Sequence, residues 1–143
     1  MLGGVSASAM TVKETAAINQ PMTPYMKIEV IDLVGYKGNH GECGNMGTIK
    51  ATVVGDGAQQ GDYISITRYA KNGRQPYSVD RPIDVSGSAY LYNCSFLDMK
   101  TYIIRAEWMK YLPDGTITGV YKEIEVKYIY SEEVSIGEPD FDI

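Results

Sequence analysis

Hydrophobic and polar side chains alternate with a period of two through residues 25–130, which is typical of half-buried β-strands. In the first run Ile28 and Val30 share one face, whereas Ile31 and Leu33 continue on the other, so we expect either a β-bulge between them or a switch of the strand between sheets. In the fourth run Tyr90, Tyr92, Cys94 and Phe96 form a single alternating set. The alternation predicts six strands and leaves room for a seventh; the six are 27–34, 48–54, 62–69, 88–97, 100–112 and 116–130.

The breaks between these runs carry turn residues. Pro113-Asp114-Gly115 is the clearest hairpin signal, and residues 71–74 and 85–88 are further glycine-containing turns. Since no helical periodicity follows residue 24, the sequence predicts an all-β domain, an antiparallel sandwich or barrel of about seven strands, over residues 25–130. We expect its core to include Ile28, Val30, Ile49, Val53, Ile64, Ile66, Leu91, Ile104, Trp108 and Val126.

Two terminal segments fall outside the pattern: an N-terminal arm, residues 1–24, and an acidic C-terminal tail, residues 131–143. In the arm, Thr11 and Glu14 form a capping box ahead of Pro21, which predicts a helix of about two turns. The tail holds five of the 18 acids and no base, and such a tail is either solvated or docked on a basic patch of a neighbour. We expect both segments to be ordered mainly by neighbouring molecules.

The order of the strands resembles an immunoglobulin-like or fibronectin type III-like sandwich, in which the six runs take positions A, B, C, E, F and G. Antibody domains themselves are excluded, because Cys43 precedes strand B, Cys94 lies in strand E and Trp108 in strand F. A small Ig-like domain with an arm and an acidic tail is also similar to accessory virion proteins of tailed bacteriophages, such as capsid decoration, head-fibre and tail-associated proteins. The resemblance implies a virion subunit that is assembled in the host cytoplasm, contacts other virion proteins through its arms and forms a homo-oligomer or lattice.

The composition offers little material for catalysis. The single His40, with Glu42 and Cys43 beside it, falls short of the four ligands of a zinc site, and any catalytic triad would need that same His. We therefore expect no metal, no other cofactor and no enzymatic activity, and a small enzyme is the third hypothesis. Calcium ligands lack EF-hand spacing, although acids stand at Asp56, Asp62, Asp80 and Asp84.

Charge and hydropathy bear on partners and compartment. Residues 13–127 contain all 13 Lys and Arg together with 13 acids, so this body is neutral and unsuited to nucleic acid. No stretch has the 18 or more apolar residues of a membrane helix, and residues 7–9 mimic a signal-peptidase site without the basic segment that should precede it. We therefore expect no membrane partner, and we expect Cys43 and Cys94 to remain thiols that are not bonded to each other.

Glycine recurs at a strict spacing of three at Gly35, Gly38, Gly41, Gly44 and Gly47. Collagen would need imino acids and far greater length, and a phosphate-binding loop would need a different spacing before a helix. The repeat predicts a long glycine-rich connection between strands A and B. Because long loops often bind partners, this connection, with Tyr36 and His40, is the first candidate contact surface.

Tyrosine is the other excess, with 12 residues. Tyr63 and Tyr69 share one face of a predicted strand, and Tyr128 and Tyr130 recur at a spacing of two. Tyrosine at such positions serves a core or a subunit interface, and its ring also stacks on sugars. The first hypothesis is therefore a non-enzymatic structural subunit, and the second is a carbohydrate-binding or adhesin module that uses the tyrosine-bearing sheet.

Overall fold

A computed structural model describes residues 23–73 and 76–130, which form an all-β sandwich of seven antiparallel strands in two sheets. One sheet has the order β1-β2-β5 and the other the order β4-β3-β6-β7. The strands are β1 (Tyr25–Lys37), β2 (Cys43–Val54), β3 (Tyr63–Ala70), β4 (Tyr77–Pro82), β5 (Ser88–Leu97), β6 (Thr101–Tyr111) and β7 (Ile117–Lys127).

The alternation of apolar and polar residues explains the core, because each strand turns every second side chain toward the facing sheet. The predicted core residues lie there as expected. Seven of them are buried, namely Ile49, Val53, Ile64, Ile66, Leu91, Ile104 and Trp108. The other three, Ile28, Val30 and Val126, are partly buried and pack against the same cluster.

The two ends of the sandwich differ in which part of the chain they carry. At one end, which we call the entry end, β1, β3, β5 and β7 begin and β2, β4 and β6 finish. At the opposite exit end, β7 finishes and the chain continues through Tyr128 to Tyr130, where the Tyr130 amide donates to Asp98 at 2.7 Å. The arm and the tail therefore join the sandwich at opposite ends.

The predicted long connection between the first two strands is wrong, because both strands extend into it. Gly35 lies in β1, Gly44 and Gly47 lie in β2, and the connection is only residues 38–42. A Cβ atom on Gly44 would stand 2.6 Å from the Phe96 carbonyl oxygen, and one on Gly47 would stand 3.0 Å from the Ile31 carbonyl oxygen. These glycines permit a close approach of neighbouring backbones within a sheet, which is a different reason for glycine than a loop.

Three further strand predictions need correction. Strand β4 has no counterpart among the six predicted runs, and the last strand ends at Lys127 rather than at residue 130. The set of Tyr90, Tyr92, Cys94 and Phe96 does not share one face, because β5 has an irregular register between the Leu91 and Cys94 pairs. Asn93 there has φ 58°, so Leu91, Cys94 and Phe96 all point into the core.

Of the two alternatives for the first strand, the bulge is confirmed, and so are the turns at residues 85–88 and 113–115, whereas the predicted turn at 71–74 lies partly outside the described residues. The register of β1 shifts between Ile31 and Val34, where Asp32 has φ 56°. In the hairpin between β6 and β7, the Leu112 amide donates to the Thr116 carbonyl at 2.8 Å and Gly115 has φ 89°, which favours glycine.

Both cysteines are free, Cys43 partly exposed and Cys94 buried. Cys94 lies opposite Gly47 of β2, and Cys43 is four residues away along that strand, about 13 Å. A disulfide needs Cα atoms within about 7 Å, so the register keeps these thiols apart.

The predicted helix after Thr11, nearly all of the arm and the whole tail lie outside the described residues. Within the described part of the chain, no helix is long and apolar enough to span a membrane.

Candidate interaction surface

The outer face of the four-stranded sheet presents its side chains in rows that cross the strands. Because Ile64 and Ile66 point inward, Tyr63, Ser65, Thr67 and Tyr69 of β3 point outward. The register places Pro82 beside Tyr63. Tyr63 precedes the Ile64–Trp108 pair by one residue, so it lies beside Met109, and Met109 in turn pairs with Gly119 of β7.

Large apolar side chains collect at the entry end of this face, and we call the group the tyrosine patch. Its members are more than half exposed: Tyr63 60%, Met109 58%, Tyr111 74%, Ile117 57% and Tyr121 61%. Tyr111 and Ile117 are cross-strand partners at the β6–β7 hairpin. Exposed apolar groups gathered in this way mark a binding surface far more often than the same residues scattered singly.

Gly119 gives the tyrosine patch a flat floor. A Cβ atom at this position would stand 2.5 Å from the Trp108 carbonyl oxygen and 3.1 Å from the Met109 side chain, so only glycine fits. Its outward position is therefore bare between Ile117 and Tyr121 on the same strand. A partner can approach the backbone of β7 there without meeting a side chain.

Polar and charged side chains border the tyrosine patch toward the exit end. The Arg105 guanidinium lies 4.0 Å from the centre of the Tyr121 ring and 3.8 Å from the Glu107 carboxylate. Ser65 donates a hydrogen bond to Asp80, and Thr67 donates to Ser78 at 3.0 Å. The outer face thus divides into an apolar half at the entry end and a mainly polar half toward the exit end, where Tyr69 pairs with Ile103.

A shallow depression of about 190 Å³ lies on the boundary between the two halves. Tyr63 and Met109 supply its apolar side, and Ser65, Asp80 and Glu107 its polar side. An exposed aromatic ring beside two carboxylates and a hydroxyl can take a ligand that has both a flat apolar face and hydroxyl donors.

Of the residues that the sequence suggested for binding, only Tyr63 belongs to the tyrosine patch. Tyr69 lies on the same face at the exit end and is partly buried. The Tyr128 ring packs edge-on against Phe96 at 5.3 Å, and burial raises the pKa of its hydroxyl. Tyr130 is half-buried beyond β7.

The residues of the glycine repeat form no continuous surface. Gly35, Gly44 and Gly47 are buried in strands, and the Tyr36 ring lies over Gly44, its cross-strand partner. Burial raises the Tyr36 pKa, and its hydroxyl hydrogen-bonds Ser95 at 3.0 Å. The short connection itself holds Gly38, His40 and Gly41, of which His40 and Gly41 are exposed.

The side chains weighed as metal ligands have other partners or stand apart. In residues 23–73 and 76–130, no three His, Cys, Asp or Glu side chains are grouped to hold an ion. Asp62 accepts from Trp108 Nε1 at 3.2 Å and from Lys110 Nζ at 3.3 Å. Asp84 accepts from Ser86 and Ser88 in the turn before β5, and these hydrogen bonds lower its pKa.

The sequence analysis did not identify four members of the tyrosine patch as binding residues, although the alternation of apolar and polar residues indicates them. Once Trp108 is placed inward, Met109 and Tyr111 fall on the outward face, where a solvated strand would carry polar residues. Ile117 and Tyr121 repeat the anomaly on the other side of the hairpin.

Comparison with known proteins gives no information about the tyrosine patch, so its role is inferred from its side chains. No protein-family model, no curated protein and no solved structure matches this chain.

Proposed function

We propose that the protein is a non-enzymatic structural subunit that assembles into a larger particle through the tyrosine patch. The observation that carries the proposal is that five large apolar side chains, none of them charged, stand exposed side by side on three strands. Tyr25, Val85 and Leu112 are further exposed apolar residues at the entry end.

The energetics favour a protein partner over water at this end. Fully burying one large apolar side chain contributes roughly 1.5–3 kcal/mol, and association costs an estimated 4–15 kcal/mol before any surplus appears. Several such side chains buried together are needed to exceed that cost. Tyrosine and methionine are also the residues in which protein interfaces are enriched.

The specific particle that we propose is a phage virion, with the chain as a capsid decoration, head-fibre or tail-associated protein. The likeness to an Ig-like sandwich supports this reading, because the strand orders β1-β2-β5 and β4-β3-β6-β7 are compatible with sheets A-B-E and C′-C-F-G of such a sandwich. The arm joins the sandwich at the entry end, which also carries the tyrosine patch, so it can contact a neighbouring subunit beside that patch.

A glycan-binding module is the second candidate, and the depression beside Tyr63 favours it. A sugar ring can stack on the Tyr63 ring while its hydroxyls donate to Asp80 and Glu107, which line the same depression. This function needs only the boundary of the outer face, whereas assembly uses the whole tyrosine patch.

Light scattering on two charge-bearing variants tests the assembly proposal. Tyr121 and Tyr92 are both strand tyrosines with 61% exposure, but only Tyr121 belongs to the tyrosine patch. We expect the wild-type protein to form oligomers or to join capsid or tail proteins. Tyr121→Asp should abolish this association, and Tyr92→Asp should leave it intact.

A wild-type protein that stays monomeric with every candidate capsid and tail protein would contradict assembly. If that monomer binds a glycan and Tyr63→Ala removes the binding, the glycan function replaces it.

A further inference from the structure

An apolar cavity of about 140 Å³ opens at the side of the sandwich where the edge strands β4 and β5 face each other. Arg68, Tyr77, Leu91 and Cys94 line it. Since a water molecule takes about 30 Å³, the cavity has room for one apolar side chain. It lies away from the tyrosine patch, and an inference about it does not depend on the proposed function.

Arg68 gives this cavity an unusual charge. Its guanidinium lies 4.8 Å from the Tyr102 ring and 5.2 Å from the Phe96 ring, and Nη2 donates to the Ser95 carbonyl. Its Nε atom is buried, and no acceptor among the described residues faces it. Because Arg68 lines the cavity, its positive charge would stabilise an anionic oxygen placed there.

The tail supplies a segment with matching chemistry. Its residues 131–143 carry five acids and no base, and its only aromatic residue, Phe141, stands between Asp140 and Asp142. A phenyl ring suits the apolar walls, and a neighbouring carboxylate suits the Arg68 donor. The occupant that fits best is therefore an aromatic side chain flanked by carboxylates.

The tail also starts close enough to reach the cavity. Phe96 contacts the Tyr128 ring at 5.3 Å and the Arg68 guanidinium at 5.2 Å, so one ring separates the end of the described chain from Arg68. Phe141 follows Tyr130 by eleven residues, which span up to about 36–40 Å. A tethered segment has a high effective concentration, which favours the molecule's own tail over that of another copy in dilute solution.

We propose that the C-terminal tail docks on its own sandwich, with Phe141 in the cavity and a carboxylate of Asp140 or Asp142 paired with the Arg68 guanidinium. The site thus recognises an acidic segment with one aromatic residue. Docking would cover the open side between β4 and β5.

Fluorine NMR on the full chain tests this directly, because the protein has only two phenylalanines, Phe96 and Phe141. With 4-fluorophenylalanine at both, the resonance that Phe141→Leu removes belongs to the tail. We expect its chemical shift to differ from that in a synthetic peptide of residues 131–143. Asp140→Asn with Asp142→Asn should return it to the peptide value.

The matched control is Glu132→Gln with Glu133→Gln, which removes the same charge from the same tail and should leave the shift unchanged. A wild-type Phe141 resonance at the peptide position overturns the proposal, and so does an equal effect of the two double variants. A shift that appears only on raising the protein concentration assigns the cavity to another copy's tail, and it overturns docking within one molecule.

The cysteines provide a second readout without fluorine. Cys94 lines the cavity, whereas Cys43 lies about 13 Å away on β2. Phe141→Ala should accelerate alkylation of Cys94 and leave the rate at Cys43 unchanged. Equal Cys94 rates in the wild type and the variant contradict the docking.

Discussion

At the scale of single residues, a glycine of the spaced repeat can serve either the close approach of two backbones in a sheet or a short connection between strands. Gly44 and Gly38 belong to the same spaced repeat, yet their surroundings differ. A Cβ atom at Gly44 would stand 2.6 Å from the Phe96 carbonyl oxygen. That oxygen is backbone of β5, which is hydrogen-bonded to β2, so it is held in place. A Cβ atom at Gly38 meets only the side chain of Glu42, which can rotate away.

This difference predicts opposite outcomes for the same substitution. We expect Gly44→Ala to destabilise the fold by about 3 kcal/mol, because the strands must separate to admit a methyl group. We expect Gly38→Ala to change stability by no more than about 0.5 kcal/mol. Urea denaturation of both variants measures the difference. Equal stabilities would show that backbone crowding at Gly44 is relieved without cost.

At the scale of elements, the Asp62 carboxylate links the connection between β2 and β3 to strand β6 by hydrogen bonds. Asp62 accepts from the Gln59 amide at 3.0 Å, from the Trp108 indole and from Lys110. Burial acts to raise the Asp62 pKa, but these three donors outweigh it and the net pKa is lowered. The ionised carboxylate is therefore bound more strongly in the folded protein than in the unfolded chain.

The lowered pKa predicts a pH-dependent contribution to stability. It should be complete above about pH 5 and disappear as the pH falls below the unfolded value of about 4 and through the folded pKa. Asp62→Asn should cost about 1 kcal/mol at neutral pH. That cost should shrink toward pH 2, whereas Glu29→Gln, at an exposed ion pair of 3.9 Å, should cost little at any pH. A difference that stays constant with pH would contradict this account.

The strands differ in how well their sequence predicts them, and the reason is the contrast between their two faces. In β6 the inward Ile104 and Trp108 alternate with Arg105 and Glu107, so the sequence alone predicts the strand. In β4 the inward Tyr77 and Val79 alternate with Ser78 and Asp80, but the strand has only six residues and its third inward position is Arg81 at an open edge. A short edge strand with little buried area leaves only a brief period in the sequence.

At the scale of the whole molecule, the candidate surface could be predicted only in part. Alternation shows that Met109 and Tyr121 point outward, but their neighbourhood depends on the register of β6 against β7 and of β6 against β3. Register follows from packing across the sandwich and is not visible in any single strand. Tyr63 and Tyr69 fall into opposite halves of the face for a simpler reason, because six residues, about 20 Å, separate them along β3.

If the sandwich folds without the arm and the arm serves assembly, removing the arm should affect only assembly. Among the described residues the buried core begins at Met26, so removing residues 1–24 takes away none of those core members. We expect the truncated protein to keep its β-sheet circular dichroism and to unfold within about 2 °C of the full chain.

Ordering each arm residue on docking costs about 1–2 kcal/mol of backbone entropy, which suits permanent assembly better than reversible capture. We therefore expect the same truncation to abolish incorporation into the particle, measured by co-purification with its other proteins. Incorporation at the wild-type level would show that the arm has no part in assembly, and a large loss of thermal stability would show that it belongs to the fold.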